Sequence, residues 1–164
     1  MSPTPPLDAQ ALIASLDLAP HPEGGFYRET FRSEGSVQAP DGRVRPALTQ
    51  IVFLLPSGVF SAWHKVESDE VWQHHEGGPL ELHLLDDSGH RVLVLGAASQ
   101  GQHPQAVVPA GVWQAARPAS DQAVLCGCTV APGFDFADFQ MATADALAAL
   151  FPQHRAIASE LCRD

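Results

Sequence analysis

The sequence contains few positively charged residues. Its 164 residues include 9 Lys and Arg against 19 Asp and Glu, which gives a formal net charge of −10 at pH 7. The basic residues do not gather into a stripe, whereas proteins that bind a phosphate backbone present a basic patch. We therefore expect no nucleic-acid partner.

Long apolar runs are also missing. No stretch approaches the ~20 apolar residues that a membrane-spanning helix needs. Residues 1–6 lack the basic start and the apolar core of a signal peptide. These two absences predict a cytoplasmic protein with no membrane partner.

Cysteine is scarce and odd in number. Cys126 and Cys128 are separated by one residue, which places both thiols on the same face of a strand, and Cys162 lies near the end of the sequence. This spacing matches neither a zinc knuckle nor a CxxC redox turn. We interpret the thiols as reduced groups in the core or at a subunit contact.

The sequence does contain enough hydrophobic residues, 45% of 164, to form the core of one domain. Most of them occur in short alternating runs. The single predicted domain, 1–164, divides into an N-terminal helix within 1–20, a β-barrel over 22–139 and a C-terminal helical segment over 143–160. Helical spacing covers 7–18, and Thr143 is the predicted N-cap of a helix ending near Leu150. Alternating strands are predicted over 48–55, 60–66, 71–75, 80–85 and 91–95. This pattern indicates an all-β domain with short terminal helices.

The most specific motif is GVFSAWHKVESDEVWQHHEGG, residues 58–78. It places His64 and Glu70 six positions apart in a run of strand-forming residues bounded by glycines. A strand-turn-strand unit with this spacing can direct an imidazole and a carboxylate into one cavity. We therefore predict the working site here.

This frame resembles the first motif of the cupin superfamily: Gly, five residues, His-x-His, three or four residues, Glu, six residues, Gly. Gly58, His64, Glu70 and Gly77 fit it, but Val66 stands where the second histidine would be. The resemblance implies a double-stranded β-helix, also called the cupin jelly roll, with a small-molecule ligand in the barrel and pairing of two copies as a homodimer.

The second cupin motif is partly present. Pro109, Ala110 and Gly111 reproduce its Pro-x-Gly turn, but Gln114 replaces its histidine and Pro118 its asparagine. Four further segments resemble an uncharacterised single-domain branch of the cupins over about 22–139: HPEGGFYRETFRS, SDEVW, VVPAGVWQAA and CTVAPGFDFADF. This resemblance is specific for the fold, and one fold hosts many chemistries.

Two chemistries remain open for the motif residues. If a divalent metal binds, its ligands are His64, Glu70 and Gln114, although an amide is a poor substitute for the lost imidazole; no cofactor is the expectation. In the metal-free alternative, Glu70 orients His64, which acts as the base and removes a proton next to a carbonyl. Glu70 could instead be a solvated acid, and His64 a core histidine.

The opposing acid in the metal-free scheme would be Tyr27, the only tyrosine of the sequence. It lies in GGFYRETFR, residues 24–32, which resembles the GFF-x-E-x-F-R segment of cupin epimerases that act on 4-keto sugar nucleotides. By that resemblance, Arg28 or Arg32 would help to bind the ligand. The same residues also suit a plain structural edge or a dimer edge.

Strand alternation indicates further residues that could face a ligand. Gln114, Trp72, His74 and Gln50 are candidate ligand contacts, with Trp72 also suited to the core. Phe134, Phe136 and Phe139 are predicted to form a hydrophobic strap across the barrel, with Asp135 capping its turn. The histidines in loops, namely His21, His90, His103 and His154, are predicted to be on the surface.

The leading hypothesis is a metal-independent isomerase or epimerase acting on a keto sugar or sugar nucleotide; the rivals are a metal-dependent cupin isomerase or oxygenase and a non-catalytic binding protein.

Overall fold

The computed structural model describes residues 5–163. Short antiparallel strands form two large sheets and a separate hairpin, and short helices lie near both ends of the described chain. Side chains of both large sheets meet in one core. The predicted all-β jelly roll with short terminal helices is therefore confirmed. Residues 1–4 and 164, which the predicted domain also includes, lie outside the described residues.

The first sheet has six strands, each antiparallel to its neighbours. Its central strand pairs with one strand from the start of the barrel and one from the first predicted motif. In spatial order the strands are β1 (Ala19–Pro20), β2 (Phe26–Arg32), β5 (Thr49–Leu55), β12 (Val124–Ala131), β7 (Asp69–Gly77) and β10 (Gln105–Val108).

The second sheet has five strands, and the remaining two form a hairpin. The five predicted strands all occur, with ends shifted by no more than two residues. In spatial order the second sheet contains β13 (Gln140–Met141), β6 (Ser61–Lys65), β11 (Trp113–Pro118), β8 (Leu80–Asp86) and β9 (Gly89–Leu95), and the hairpin contains β3 (Ser36–Gln38) and β4 (Val44–Pro46).

The helices cover the outer faces of the sheets. Helix α1 (Ala9–Ser15) packs on the six-stranded sheet, and helices α2 (Ala144–Leu150) and α3 (Arg155–Glu160) pack on the five-stranded sheet. Thr143 is the N-cap of α2, as predicted, because its Oγ1 accepts a hydrogen bond from the Ala146 N–H at 3.2 Å. Within residues 5–163, no helix has the length and apolar character needed to cross a membrane. Single-turn 3₁₀ helices cover Ala98–Gln100, Phe136–Asp138 and Pro152–His154.

Strand β6 shows how alternation separates the core from the helical layer. Trp63 points outward, where it packs in the cluster beneath α2 and α3, and its indole N–H donates to the Ile157 carbonyl at 3.0 Å. Ala62 and His64 point the other way, into the barrel, and are buried. The predicted orientation of His64 towards the interior is therefore confirmed.

A tight turn connects β1 to β2. The His21 N–H donates to the Gly25 carbonyl at 2.9 Å, and the Gly24 N–H donates to the His21 carbonyl at 3.0 Å. Gly24 has φ +110°, and a Cβ there would lie 2.2 Å from the Phe60 carbonyl oxygen. Only glycine permits this conformation together with so close an approach of two backbones. The turn therefore lies directly against the start of β6.

Candidate functional site

A cavity of about 510 Å³ opens between the two sheets. This volume is in the range of small-molecule sites. Its lining includes the buried side chains of Glu23, His64 and Glu70, which are 5%, 2% and 7% exposed. Its walls are mainly apolar and aromatic and include Tyr27, Ile51, Val66, Val130, Phe134, Phe136 and Phe139.

Glu23 enters the cavity from the turn that precedes β2. Its carbonyl accepts a hydrogen bond from the Ala62 N–H at 2.7 Å, next to the close contact between Gly24 and Phe60. This backbone bond holds Glu23 beside His64 on strand β6. Glu23 was not predicted as a site residue, although its position before two glycines in HPEGG was a usable signal.

Glu23 and His64 form a buried ion pair. The Nε2 of His64 lies 2.8 Å from Oε2 of Glu23, and Nδ1 of the same ring lies 2.7 Å from the Ala62 carbonyl oxygen. Burial opposes the charged imidazole, but the Glu23 carboxylate outweighs it and raises the pKa of His64 to about 9. Burial likewise opposes the Glu23 carboxylate, yet His64 holds its pKa below the usual range. Both ring nitrogens of the imidazolium are therefore occupied.

This pair corrects the predicted role of Glu70. Glu70 was expected to orient His64, but the residue bonded to the imidazole is Glu23. Oε2 of Glu70 instead accepts a hydrogen bond from Nε2 of Gln114 at 2.7 Å. The reason is geometric, because Glu23 reaches Nε2 of His64 from the tight turn while Glu70 lies on β7 opposite Gln114.

Gln114 and Trp72 hold Glu70 rather than forming part of the cavity lining. The indole N–H of Trp72 donates to Oε1 of Gln114 at 2.8 Å, and the Gln114 amide N–H then donates to Glu70. Both side chains are almost completely buried, at 1% and 0% exposure. Their predicted contact with a ligand is replaced by a chain of hydrogen bonds that fixes one carboxyl oxygen.

The pKa values of Glu70 and Glu23 are shifted in opposite directions. Burial raises the pKa of Glu70, and the nearby Glu23 charge raises it further, while His64 partly opposes the change. The Cys128 thiol lies in hydrogen-bonding contact with Glu70, and its own pKa is raised by burial. One carboxyl of the cavity is thus held ionised and the other is biased towards its protonated form. Such divergent environments typically separate the acid and base roles in an enzyme.

Tyr27 and His21 form one wall of the cavity. Tyr27 lies there as predicted, and its ring meets that of His21 edge to face at a centroid distance of 4.5 Å. His21 was predicted to lie on the surface, but its side chain is only 6% exposed and it lines the cavity. The tight turn folds it inward against the aromatic residues. Burial lowers the pKa of His21.

Charged side chains surround the mouth of the cavity. Arg28 lies there, as predicted, and among the described residues it makes no ion pair or hydrogen bond through its guanidinium. Arg32 also borders the cavity, but both its Nε and Nη2 donate to Glu29 at 2.8 Å. Arg28 is therefore the arginine at this rim that remains open to a ligand.

The predicted hydrophobic strap is confirmed. Phe134, Phe136 and Phe139 line the cavity, and Phe139 lies over the His64 ring at a centroid distance of 5.4 Å. Asp135 caps the short 3₁₀ turn by accepting from the Ala137 N–H at 2.9 Å. Buried Arg45 on β4 anchors the strap through an ion pair with Asp138.

Two predicted ligand contacts lie outside the cavity. Gln50 was a candidate ligand contact if it pointed inward, but its neighbours Thr49 and Ile51 line the cavity, so Gln50 faces the other side of β5. His74 is bonded through Nε2 to the Gly78 carbonyl at 2.9 Å, beyond the end of the cavity. Both corrections concern side chains on strands that were themselves correctly predicted.

The residues present do not fit the divalent metal that cupins commonly hold. Val66 contributes only apolar atoms to the cavity, both polar atoms of Gln114 are bonded to protein groups, and Nε2 of His64 is bonded to Glu23. Within residues 5–163, no group of three or more His, Cys, Asp or Glu side chains has a geometry suited to a metal ion. We therefore derive no chemistry through a metal.

Comparison with known proteins places this site in a family. The sequence profile described as "Cupin superfamily (DUF985)" matches residues 10–142. A hypothetical protein from Leishmania major is 34% identical, with a TM-score of 0.89 over 96% of this chain and 100% of that one. A protein from Shewanella oneidensis is 36% identical, with a TM-score of 0.86 over 96% and 98%.

A curated relative gives the same result. The uncharacterized protein YML079W of Saccharomyces cerevisiae is 30% identical over 152 residues, which cover 83% of this chain and 76% of the yeast protein. The profile match spans most of the sequence, including the turn that carries Glu23 and the strands that carry His64 and Glu70. The chain belongs to the DUF985 family of the cupin superfamily.

Proposed function

We propose that this cupin binds a small carbonyl compound in its barrel and acts on it as a metal-independent isomerase or epimerase. The observation that carries the proposal is Glu70, a carboxyl on the cavity surface whose burial raises its pKa. A general acid and base works best when its pKa lies near the pH at which it operates. Burial raises the pKa of Glu70 towards that range, whereas Glu23 is committed to its ion pair with His64.

In the proposed reaction, ionised Glu70 takes the proton from the carbon next to the carbonyl. The electron pair of that C–H bond forms a C=C bond, and the carbonyl π pair moves to oxygen as an enolate. For a substrate with a hydroxyl group on that carbon, the hydroxyl proton passes to the enolate oxygen and the hydroxyl oxygen forms the new carbonyl. The C=C pair then takes a proton from Glu70, which has exchanged with solvent, at the former carbonyl carbon and gives an isomer. Delivery of a proton by the Tyr27 hydroxyl to the opposite face of the original carbon gives an epimer; Glu70 then releases its proton to solvent, and Tyr27 recovers one from solvent.

His64 has a different role from the base that the sequence analysis assigned to it. Both of its nitrogens are bonded to protein groups, so it supplies a fixed positive charge rather than a free lone pair. A charge held in place before the reaction stabilises a developing enolate without reorganisation of the site. The Glu23 carboxylate keeps this imidazolium protonated well above neutral pH.

The proposed ligand is a keto sugar or a sugar nucleotide. Aromatic walls formed by Tyr27, Phe136 and Phe139 suit the apolar face of a sugar ring. Arg28, with no protein partner for its guanidinium among the described residues, suits a phosphate or carboxylate at the mouth. The buried polar groups Glu23, His64 and Glu70 lie at the proposed site of proton transfer.

The test is incorporation of solvent deuterium into a panel of keto sugars and their nucleotide derivatives, followed by NMR. The proposal predicts exchange with the wild type, and its loss in Glu70→Gln and His64→Ala. Cys126→Ala is the matched control, because Cys126 is a buried core residue that does not line the cavity. Absence of exchange with every compound, in a protein that binds at least one of them, would refute the catalytic proposal.

A second candidate is a non-catalytic small-molecule binding protein. It is favoured by the full engagement of His64 and Gln114 with protein groups, which resembles a structural network more than a set of free reactive atoms. A ligand that raises the melting temperature and is recovered unaltered after overnight incubation supports this candidate. Recovery of an altered ligand excludes it.

We also propose that two copies of the chain form a homodimer through their sheets. The edge strands β9 and β10 carry exposed valines, namely Val92, Val94 and Val107. Apolar side chains on a sheet edge favour pairing with another chain. Light scattering should give twice the 17.5 kDa chain mass, and a single chain mass would contradict the dimer.

A further inference from the structure

His21 has an unusual combination of burial and an unused hydrogen-bonding atom. Its side chain is 6% exposed and lines the cavity. Its Nδ1 accepts a hydrogen bond from the Glu23 N–H at 3.2 Å, whereas its Nε2 has no hydrogen-bond partner within residues 5–163. Among the described residues, the only fully buried side-chain N or O atom without a partner is Ser61 Oγ, so Nε2 of His21 is accessible from the cavity. Its partner can therefore be the ligand.

The bond to Nδ1 fixes what Nε2 can do. Because Nδ1 accepts from a backbone N–H, it carries no proton, and the ring proton of the neutral imidazole must be on Nε2. Burial disfavours the doubly protonated form, which keeps the ring neutral. His21 therefore presents one N–H donor and no acceptor to the cavity.

Aromatic neighbours hold this donor in one direction. The His21 ring meets Tyr27 edge to face at 4.5 Å, Phe139 at 5.7 Å and Phe53 at 5.9 Å between centroids. The turn that carries it is closed by the reciprocal backbone bonds between His21, Gly24 and Gly25. A donor fixed in this way is ready to bind without rearrangement.

We propose that His21 is the specificity-determining residue of the cavity and that it binds the carbonyl oxygen of the ligand through Nε2–H. The ligand class is then a ketone or related carbonyl compound with an apolar or ring-shaped body. Analogues that lack the acceptor oxygen displace water from this N–H without replacing its hydrogen bond and bind less well. This inference depends on the proposed function only in taking a carbonyl compound as the ligand.

The test compares two probes of nearly the same shape, acetophenone and α-methylstyrene, in which a C=CH₂ group replaces the C=O. The wild type should bind acetophenone roughly three- to tenfold more tightly, as expected for one neutral hydrogen bond. His21→Phe, which keeps an aromatic ring, should bind both probes with equal affinity. An unchanged preference in His21→Phe, or equal or undetectable binding of acetophenone by the wild type, would overturn the inference.

A second measurement serves if His21→Phe does not fold. In ¹⁵N-labelled wild-type protein at neutral pH, His21 should be the neutral Nε2–H tautomer, and acetophenone alone should shift its Nε2–H resonance. A protonated Nδ1, or equal shifts with both probes, would contradict the assignment. Neither experiment measures proton exchange. Loss of the ketone preference thus refutes only the role of His21, and loss of exchange with the preference intact refutes only the proposed reaction.

Discussion

The imidazole of His64 is bonded to the carboxylate of Glu23 at 2.8 Å, although Glu70 is the acidic residue that shares its sequence motif. Glu70 accepts a hydrogen bond from the Gln114 amide instead. The cavity thus contains a fixed ion pair and a separate carboxyl whose protonation can change.

Glu23→Gln should strongly destabilise the protein. The substitution removes the carboxylate that balances the buried positive charge of His64. Loss of one partner of a buried ion pair lowers the free energy of unfolding by about 3–5 kcal/mol. Chemical denaturation measures this change, and an NMR titration should show that the pKa of His64 falls from about 9. Glu29→Gln is the control, since Glu29 is exposed and pairs only with exposed Arg32. Equal losses in the two variants would rule out the buried pair.

Glu70→Gln should be far milder for stability and far more severe for activity. The raised pKa of Glu70 favours a neutral carboxyl, and the glutamine side chain has nearly the same shape and can still accept from Gln114. We expect the free energy of unfolding to change by no more than about 1 kcal/mol, while deuterium exchange is abolished. A destabilisation as large as that of Glu23→Gln would show that Glu70 is a structural charge.

Stability should decline as the pH rises through the weakly alkaline range. The folded-state pKa of His64, about 9, lies above its ordinary value of 6.5, so its stabilising contribution is complete below pH 6.5 and is lost as the pH approaches 9. The raised pKa of Glu70 acts in the same direction at lower pH. Urea denaturation at several pH values should show a loss on the order of 2 kcal/mol between pH 6.5 and 9, and His64→Gln should flatten the curve. An unchanged slope in that variant would assign the loss to other groups.

Gly24→Ala should disturb the site through the backbone. A Cβ at this position would lie 2.2 Å from the Phe60 carbonyl oxygen, and the residue has φ +110°. The backbone must move, which separates Glu23 from His64 and lowers the pKa of His64. Gly42→Ala is the matched control, because Gly42 also has positive φ, +84°, but an added Cβ meets nothing within 4 Å. We expect the control to lose about 1 kcal/mol without any change in the His64 titration.

The fold was predictable because its signals are local. Alternating runs identified strands such as β5 and β6, and the hydroxyl of Thr143 identified the start of α2. The aromatic strap was also visible as three phenylalanines around Asp135. Each signal depends on residues close in sequence, and the order of the strands follows the jelly-roll resemblance.

The partners within the site were not predictable in the same way. Glu23 reaches His64 only because the backbone of Gly24 packs against Phe60, a contact between distant segments that no local spacing encodes. His21 looked like an ordinary loop histidine, since its burial depends on the same contact. The face of Gln50 was left open by the sequence, because a change of one residue in the phase of a strand reverses every side chain.

The most direct test of this account is a ¹³C NMR titration of the side-chain carboxyl carbons of Glu23 and Glu70. The account predicts that Glu70 titrates above the ordinary glutamate pKa of 4.5 and Glu23 below it, in the same protein and the same cavity. Removal of His64 should raise the pKa of Glu23 and raise that of Glu70 further. If both carboxyls titrate together near 4.5, the separation of an ion pair from an acid-base carboxyl is wrong, and the proposed proton transfer loses its basis.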